Sequence, residues 1–341
     1  MCSLKTGTFD LEERRLAKEV KRRESKLVLI QLPEGLKPQG PRLAEVIEKA
    51  GAVAIISADP CYGACDLAEE EAKSLKADLL VHFGHSRIRH ADKSPRIPTI
   101  YIEAKAKLSL GATLKKALPL IKPWRRIGLV TTIQHVKHLG EAREVLLAAG
   151  KSVAVGDVGR LCYAGQVIGC DFSNAHAVAK DVDAFLCICG GRFHAIGVAL
   201  ATSKPTVVAD PYEARAYSVD CDADLVRKQR WASIRDAAKG QRFGVLIGLK
   251  SGQKRLEKAL QISRKLQQAA KKPTLLAVRE VTPESLMQYP SIDAYVNTAC
   301  PRLSLDDATR FSKPVLTMNE ALVVTGEFTW DQLLREGWFE D

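Results

Sequence analysis

The sequence predicts an α/β protein built from three similar domains, each with a four-stranded parallel sheet. Continuous apolar runs, typical of strands covered on both faces, alternate with segments of helical pattern. This alternation restarts twice, with a period of about 100 residues. A cysteine follows one of the strands in each of the three units. Repetition of this kind indicates three small domains of one architecture rather than one large sheet.

The first unit covers residues 1–105. A charged segment rich in helix formers, residues 9–25, predicts an exposed N-terminal helix. Pro41 and Gly51 are suited to begin and end the first helix between strands. The strands are expected at 27–30, 53–56, 79–82 and 99–102, and the helices between them at 41–50 and 67–76.

The second unit, residues 106–212, and the third, residues 213–341, repeat this order. Strands are expected at 127–132, 153–155, 184–189 and 205–209, then at 243–248, 274–278, 292–296 and 314–318, with helices at 139–149 and 255–270. Open α/β sheets bind ligands at the carboxyl ends of their strands. Loops at one end of three such sheets can therefore face a common centre.

Composition excludes several classes of protein. With 341 residues, 46% hydrophobic and 27% charged, the chain is expected to be globular. It has no run of roughly 18 apolar residues and no apolar signal-peptide core at its N-terminus, so we expect a cytoplasmic protein without a membrane partner. The net charge of +11 would suit an acidic partner or RNA, but the basic residues are scattered without interleaved aromatics. Specific nucleic-acid binding is therefore not expected.

Nine cysteines, an odd number, argue against a disulfide framework. Cys61, Cys162 and Cys300, one from each unit, lie in loops after strands and are spaced 101 and 138 residues apart. Structural zinc usually takes four ligands from local pairs, which this spacing does not provide. Three thiolates suit a [4Fe-4S] cluster that leaves one iron open for substrate. Buried cysteines without a metal are the alternative.

Two further groups could contribute to such a site. Cys65 comes four residues after the first of these cysteines and is either a spare ligand or a small buried residue, and the role of Cys170 is left open. His82, His85 and His90 share one strand-end loop. They form either a metal-binding trio or the lining of the site.

Polar residues after the first strand of each unit, and after Cys300, are candidates for binding a small zwitterion. These candidate ligand contacts are Glu34, Gly35, Gln134, His135, Gln253, Arg302 and Asp306. Their side chains could hold an amino group and a carboxylate beside the cluster. For each of them, a helix cap or an inter-domain hydrogen bond is the alternative.

Five segments together are specific enough to indicate a family. They are Leu32-Pro33-Glu34-Gly35-Leu36, Asp59-Pro60-Cys61-Tyr62-Gly63-Ala64-Cys65-Asp66, Thr131-Thr132-Ile133-Gln134-His135, Gly165-Gln166-Val167-Ile168-Gly169-Cys170 and Asn297-Thr298-Ala299-Cys300-Pro301-Arg302. With them, nearly the whole chain resembles the archaeal-type diphthamide biosynthesis enzymes. Members of this family transfer a 3-amino-3-carboxypropyl group to a histidine of translation elongation factor 2.

The resemblance implies a homodimer of three-domain chains with pseudo-threefold symmetry around a central [4Fe-4S] cluster, held by Cys61, Cys162 and Cys300. It also implies an atypical radical transferase with S-adenosyl-L-methionine as substrate. An electron donor reduces the cluster, one electron enters the sulfonium, and the Cγ–S bond breaks. Methylthioadenosine is released and the 3-amino-3-carboxypropyl group adds to the imidazole of the protein substrate. Orientation of the sulfonium decides which of its three C–S bonds breaks.

Two alternatives remain open from the sequence. Quinolinate synthase shares the plan of three domains and three cysteines, and uses its open iron as a Lewis acid in a dehydration. A scaffold stabilised by zinc or a cluster, without enzymatic activity, is the other. Formation of methylthioadenosine would distinguish the proposed transferase from both.

Overall fold

The structure, a computed structural model, describes residues 8–88, 95–157 and 159–339. Strands and helices alternate along the chain as predicted. The elements of the first unit are β1 (Phe9–Asp10), α1 (Glu13–Arg22), β2 (Leu27–Gln31), a 3-10 helix (Glu34–Gln39), α2 (Gly40–Glu48), β3 (Val53–Ile56), α3 (Glu69–Ser74), β4 (Leu79–Phe83), β5 (Thr99–Ile102) and β6 (Lys105–Ala106).

The second and third units repeat the alternation. The second contains α4 (Gly111–Ala117), β7 (Arg126–Thr131), a 3-10 helix (Ile133–His138), α5 (Leu139–Ala148), β8 (Ser152–Ala154), α6 (Ser173–Val178), β9 (Ala184–Ile188), α7 (Phe193–Thr202), β10 (Thr206–Asp210) and β11 (Arg215–Ser218). The third contains α8 (Asp220–Lys239), β12 (Arg242–Gly248), a 3-10 helix (Ser251–Gln253), α9 (Leu256–Gln268), β13 (Lys272–Val278), α10 (Pro283–Met287), β14 (Ala294–Asn297), α11 (Arg302–Leu305), a 3-10 helix (Ala308–Arg310), β15 (Val315–Leu316), α12 (Met318–Thr325) and α13 (Trp330–Glu336).

Each unit contains one mainly parallel sheet, which confirms the α/β fold class. The strand orders are β3-β2-β4-β5, β8-β7-β9-β10-β11 and β13-β12-β14-β15. In every unit the first long strand lies between the second and the third, and the fourth follows the third. All these pairs are parallel except β10–β11, which is antiparallel. The carboxyl ends of the parallel strands therefore carry the loops that contain the cysteines.

Two expectations about individual elements were wrong. The N-terminal helix is shorter than predicted and is not simply exposed, because Leu16 and Val20 are fully buried where α1 packs against α2. The second sheet contains a fifth strand, β11, where four strands were expected. This strand extends the sheet to Ser218, beyond residue 212, where the sequence suggested the unit would end.

The hydrophobic core is divided unevenly among the units. The sheet of the first unit has a core of its own, which includes Ile30 and Phe83. A single larger core joins the second and third units, with Phe185 from β9, Phe243 from β12 and Trp338 from the carboxyl-terminal segment. The second and third units are therefore fused by apolar packing.

A buried ion pair crosses this shared core. Arg230 of α8 donates to Glu320 of α12 at 2.6 Å, and their side chains are 1% and 0% exposed. Arg230 also donates to the carbonyl oxygens of Ser304 and Val315, and Trp338 donates its indole N–H to Glu320 at 2.9 Å. The polar groups of both side chains therefore have several partners, as a buried ion pair requires.

Candidate metal centre

The three cysteine loops begin where parallel strands end. The Cys61 loop follows β3, the loop with Cys162 and Cys170 follows β8, and the Cys300 loop follows β14. All four cysteines are free in the structure. Their positions agree with the expected placement of ligands at the carboxyl edges of α/β sheets.

Cys61 lies in a buried pocket of the first unit. Burial, and after it the nearby carboxylate of Asp66, raise the pKa of its thiol to about 12. Its sulfur and one ring nitrogen each from His82 and His85 all lie within 4.8 Å of one another. His90, the third histidine of the predicted trio, lies outside the described residues. Cys61 is therefore surrounded by groups that can bind metal.

Hydrogen bonds fix the tautomers of the two histidines. The amide of Gln31 donates through Nε2 to the Asp66 carbonyl at 2.5 Å and accepts through Oε1 from the Ala68 N–H at 3.1 Å. The Nδ1 of His82, 2.8 Å from Gln31 Oε1, must therefore carry a hydrogen. The remaining nitrogen of His82 then accepts from His85 Nδ1 at 3.0 Å. Both nitrogens of His82 are engaged, which favours the reading of this loop as lining rather than as a metal-binding trio.

Cys300 lies in a loop that its neighbours hold rigidly. Asn297 donates through Nδ2 to the Cys300 carbonyl at 2.7 Å and accepts through Oδ1 from the Ala299 N–H at 2.9 Å. Burial raises the pKa of the Cys300 thiol to about 12, and the thiol of Cys65 adds to the increase. The third-unit cysteine is therefore electrostatically coupled to a cysteine of the first unit.

Cys65 forms the backbone contact between these two units. The Gly252 N–H donates to the Cys65 carbonyl at 2.8 Å, and a Cβ at position 252 would lie 2.7 Å from the Cys65 Cα. Only glycine permits this close approach. The Gln253 side chain, a predicted ligand contact, is buried and places its Nε2 3.7 Å from the Cys65 sulfur. Cys65 and Gln253 therefore both lie where the first and third units meet.

The second unit offers two cysteines with different surroundings. The Cys162 thiol donates to the Arg87 carbonyl at 2.9 Å. Burial raises the pKa of the Cys170 thiol, and the thiols of Cys65 and Cys300 raise it further. The structure thus brings Cys170 into electrostatic contact with cysteines of both other units. The sequence predicted Cys162 for this role and assigned none to Cys170, although Cys170 ends one of the five family segments.

Side chains from the three units also meet around His194. Burial lowers the pKa of His194 to about 4, with contributions from the charges of Arg302 and His85. Arg302 places its guanidinium 4.4 Å from the ring centre of Phe193 and its Nε 3.3 Å from Asp306. Arg302 and Asp306, both predicted ligand contacts, therefore lie together at the junction of the second and third units.

The other predicted contacts have different surroundings. Glu34 is exposed and pairs with Lys37 at 2.9 Å, and Gly35 is exposed beside it. Gln134 donates to the Gly84 carbonyl at 2.8 Å, which is the inter-domain hydrogen bond that the sequence left as an alternative. His135 is fully buried, and neither ring nitrogen has a hydrogen-bond partner within the described part of the chain.

Sequence reasoning missed a polar network between the first and third units. A cavity of about 190 Å³ opens there, lined by acidic and basic side chains that include Asp66, Lys250 and Glu280. A second, smaller cavity shares Lys250 and is lined by Tyr62 and Cys300. Asp66 and Lys250 are 184 residues apart in sequence, so no local pattern could indicate their contact.

The donor chemistry of the site fits an iron–sulfur cluster. Sulfur ligands are available from all three units, and soft thiolates are the ligands that such clusters use. Burial raises the pKa of the Cys61 and Cys300 thiols, so both stay protonated until a bound metal displaces the proton. A site of this kind holds its ligands ready without exposing reactive thiolates to solvent.

Comparisons with known proteins agree with this chemistry. A family model described as "Putative diphthamide synthesis protein" matches residues 32–334. The chain is 37% identical over 331 residues to the 2-(3-amino-3-carboxypropyl)histidine synthase of Pyrococcus horikoshii, covering 95% of this chain and 94% of that one. It is 31% identical over 304 residues to subunit 1 of the Caenorhabditis elegans 2-(3-amino-3-carboxypropyl)histidine synthase, covering 87% and 75%. The crystal structure of Dph2 from Pyrococcus horikoshii with a 4Fe-4S cluster superposes with a TM-score of 0.86 and 35% identity, covering 94% of this chain and 91% of that one.

Proposed function

This chain belongs to the diphthamide synthesis protein family, and we propose that it catalyses the first step of diphthamide biosynthesis. In this step the 3-amino-3-carboxypropyl group of S-adenosyl-L-methionine is transferred to a histidine of translation elongation factor 2, and methylthioadenosine is released. The observation that carries the proposal is that Cys65, Cys170 and Cys300, one cysteine from each unit, lie near enough for the first and third thiols to raise the pKa of the second. The likeness to a solved structure that contains a 4Fe-4S cluster supports it.

We propose that the three units, residues 1–105, 106–212 and 213–341, are domains related by pseudo-threefold symmetry. Their support is topological, because each has its first long strand between the second and the third. Independent repeats with one strand order are most simply explained by one repeated architecture. The antiparallel strand β11, which pairs with β10, would then be an addition to the second domain and extend it from residue 212 to Ser218.

We propose Cys300 as a ligand of a [4Fe-4S] cluster, with one thiolate from each of the other two domains. The resemblance to the family suggested Cys61 and Cys162 for these ligands. The electrostatic interactions among Cys65, Cys170 and Cys300 favour Cys65 and Cys170 instead. When bound, the cluster supplies the single electron that breaks the Cγ–S bond of the substrate.

The protein's own residues would bind and orient the substrate. Arg302 presents a cation suited to the substrate carboxylate, and Asp306 an anion suited to its ammonium group. Their ion pair at 3.3 Å, stacked on Phe193, keeps both groups in place before the substrate binds. Gln253 beside Cys65 could hold the far side of the same moiety. Such a grip fixes the sulfonium so that the Cγ–S bond, and not another C–S bond, is cleaved.

The remaining partners follow from the same proposal. The protein substrate is translation elongation factor 2, an external electron donor reduces the cluster, and two copies of the chain form a homodimer in the cytoplasm. None of the described helices is long and apolar enough to cross a membrane. The net charge of +11 would steer an acidic protein surface toward the enzyme.

Identification of the released nucleoside tests the proposal. Protein reconstituted with iron and sulfide under anaerobic conditions is reduced with dithionite and incubated with S-adenosyl-L-methionine. Methylthioadenosine is the expected product, and it should be lost in Cys65→Ala, Cys170→Ala and Cys300→Ala. 5′-Deoxyadenosine would show cleavage of a different C–S bond. If neither nucleoside is formed although the cluster is intact, the transferase is overturned in favour of Lewis-acid chemistry.

A further inference from the structure

A partly buried group of charges joins the first and third units beside the cysteines, with the Glu280 side chain 31% exposed. The ammonium group of Lys250 lies 2.7 Å from Asp66 Oδ2 and 3.0 Å from Glu280 Oε2. It also lies 4.3 Å from the ring centre of Tyr62, whose hydroxyl donates to Glu280. The Lys250 and Asp66 side chains are only 10% and 9% exposed. Solvent therefore screens these charges much less than those of an ordinary surface pair.

The same group holds the backbone on both sides of Cys61. Lys250 Nζ donates to the Pro60 carbonyl at 3.5 Å. Asp66 accepts from the Tyr62 N–H at 3.1 Å through the oxygen that also binds Lys250. The residues immediately before and after Cys61 are thus tied to one ion pair. A change in this ion pair would therefore shift the backbone that positions the Cys61 sulfur.

The charges of the group also reach the thiols themselves. The Asp66 carboxylate raises the pKa of the Cys61 thiol, and the Lys250 ammonium lowers it. On the side of the third unit, Tyr62 interacts electrostatically with Cys300 and lines the same small cavity. The group therefore lies between thiols that come from two different units.

We propose that Lys250, Asp66 and Glu280 are positioning residues that set the reduction potential of the proposed cluster. This inference rests on the proposed function. Reduction adds one electron to the cluster, with no bond made or broken, so a nearby cation stabilises the reduced form and a nearby anion destabilises it. Because one lysine faces two carboxylates, its removal leaves two negative charges uncompensated beside the cluster.

The test is a potentiometric titration of the reconstituted, full-length protein, with dithionite as reductant and the electron paramagnetic resonance of the reduced cluster as readout. Lys250→Met should shift the midpoint potential to a more negative value. Asp66→Asn and Glu280→Gln should shift it to a more positive value. Lys250→Arg, which retains the charge, should keep the potential of the parent protein. Opposite shifts cannot arise from a general loosening of the fold.

The pair of Arg279 and Glu71 provides a matched control. It joins the same two units at 3.3 Å, but its side chains are 52% and 31% exposed. Arg279→Met should therefore move the potential much less than Lys250→Met.

Several results would overturn the inference. Unchanged potentials in variants that carry a cluster would overturn this inference but leave the proposed function standing. Shifts of the same sign in Lys250→Met and Asp66→Asn would do the same. If Lys250→Met fails to take up a cluster, the Asp66→Asn and Glu280→Gln shifts decide the question. A parent protein that assembles no cluster would instead overturn the proposed function and this inference with it.

Discussion

The junctions that the third unit makes with its two neighbours are built in different ways. Toward the second unit, a continuous apolar core contains Phe185 and Phe243, and a buried ion pair within it, Arg230–Glu320, is enclosed by backbone and indole partners. Toward the first unit, the contact is polar, with Lys250–Asp66 beside a cavity of about 190 Å³. The apolar junction carries stability, whereas the polar junction lies against the proposed metal centre.

This difference has a physical reason. Apolar packing is strong and without direction, so it suits a scaffold that must hold two sheets together. Charged groups cost free energy when they are buried, but they produce a field whose sign and strength depend on single residues. Placing them beside Cys61 and Cys300 provides control over those thiols.

The largest loss of stability is expected at the apolar junction. Glu320→Ala leaves Arg230 buried without its charge partner, which should destabilise the protein by about 3–5 kcal/mol. The double variant Arg230→Met/Glu320→Leu removes both charges and should recover only part of that loss, because the Ser304 and Val315 carbonyls and the Trp338 indole lose their partners. Thermal unfolding followed by circular dichroism measures both. A loss below about 1 kcal/mol in Glu320→Ala would mean that this junction does not carry the stability assigned to it.

Lowering the pH should destabilise the folded protein, because the imidazole of His135 is buried in its neutral form. Burial lowers the pKa of His135 to about 4, below the value of about 6.5 in an unfolded chain. The unfolded state therefore binds the proton more tightly, and stability falls as pH decreases from about 6.5 toward 4. His135→Leu should reduce this pH dependence by on the order of 3 kcal/mol. An unfolding series across that range with an unchanged slope would contradict the burial of a neutral imidazole.

The contact between Gly252 and Cys65 should tolerate no added methyl group. Gly252→Ala would place its Cβ 2.7 Å from the Cys65 Cα, so the two loops must separate, at a cost of about 1–3 kcal/mol. Gly35→Ala is the matched control, because nothing lies within 4 Å of a Cβ at that position. Chemical denaturation compares the two. Equal stability in both variants would show that the polar junction yields without cost.

The smallest effect is expected from the exposed pair at the same junction. Arg279→Met removes a partner of Glu71 that solvent already screens, so the change should stay between 0 and about 1 kcal/mol. High salt should make parent and variant indistinguishable. A loss comparable to that of Glu320→Ala would remove the distinction between the two junctions.

The sequence was most informative where one segment determines its own structure. The strand at Leu27–Gln31 was predictable because a continuous apolar run suits a strand covered on both faces. The strand at Arg215–Ser218 was missed because it is half-buried and carries little apolar pattern. The burial of Leu16 was missed because the surrounding residues are charged and the face that packs is narrow.

The site shows the same limit. Cys61 and Cys300 could be proposed as candidate ligands because each lies a few residues after a recognisable strand. Cys170 could not, since its loop folds back through bridges between Thr131 and Gln166 and between Ile168 and Asp171. That long-range folding brings it toward the other units. The contact of Lys250 with Asp66 depends likewise on how two units meet, which spacing along one chain does not encode.

If each unit provides one thiolate to a common cluster, the iron and sulfide content after reconstitution should depend on one cysteine of each unit. Alanine variants of Cys61, Cys65, Cys162, Cys170 and Cys300 are compared with the parent by metal analysis and by the charge-transfer absorption of the cluster. We expect loss of the cluster in the Cys65, Cys170 and Cys300 variants, and its retention in Cys61→Ala and Cys162→Ala. Retention in Cys170→Ala together with loss in Cys162→Ala would refute the assignment in the second unit, and the same result for Cys65→Ala and Cys61→Ala would refute it in the first. Retention of the cluster in all five variants would refute the shared centre itself.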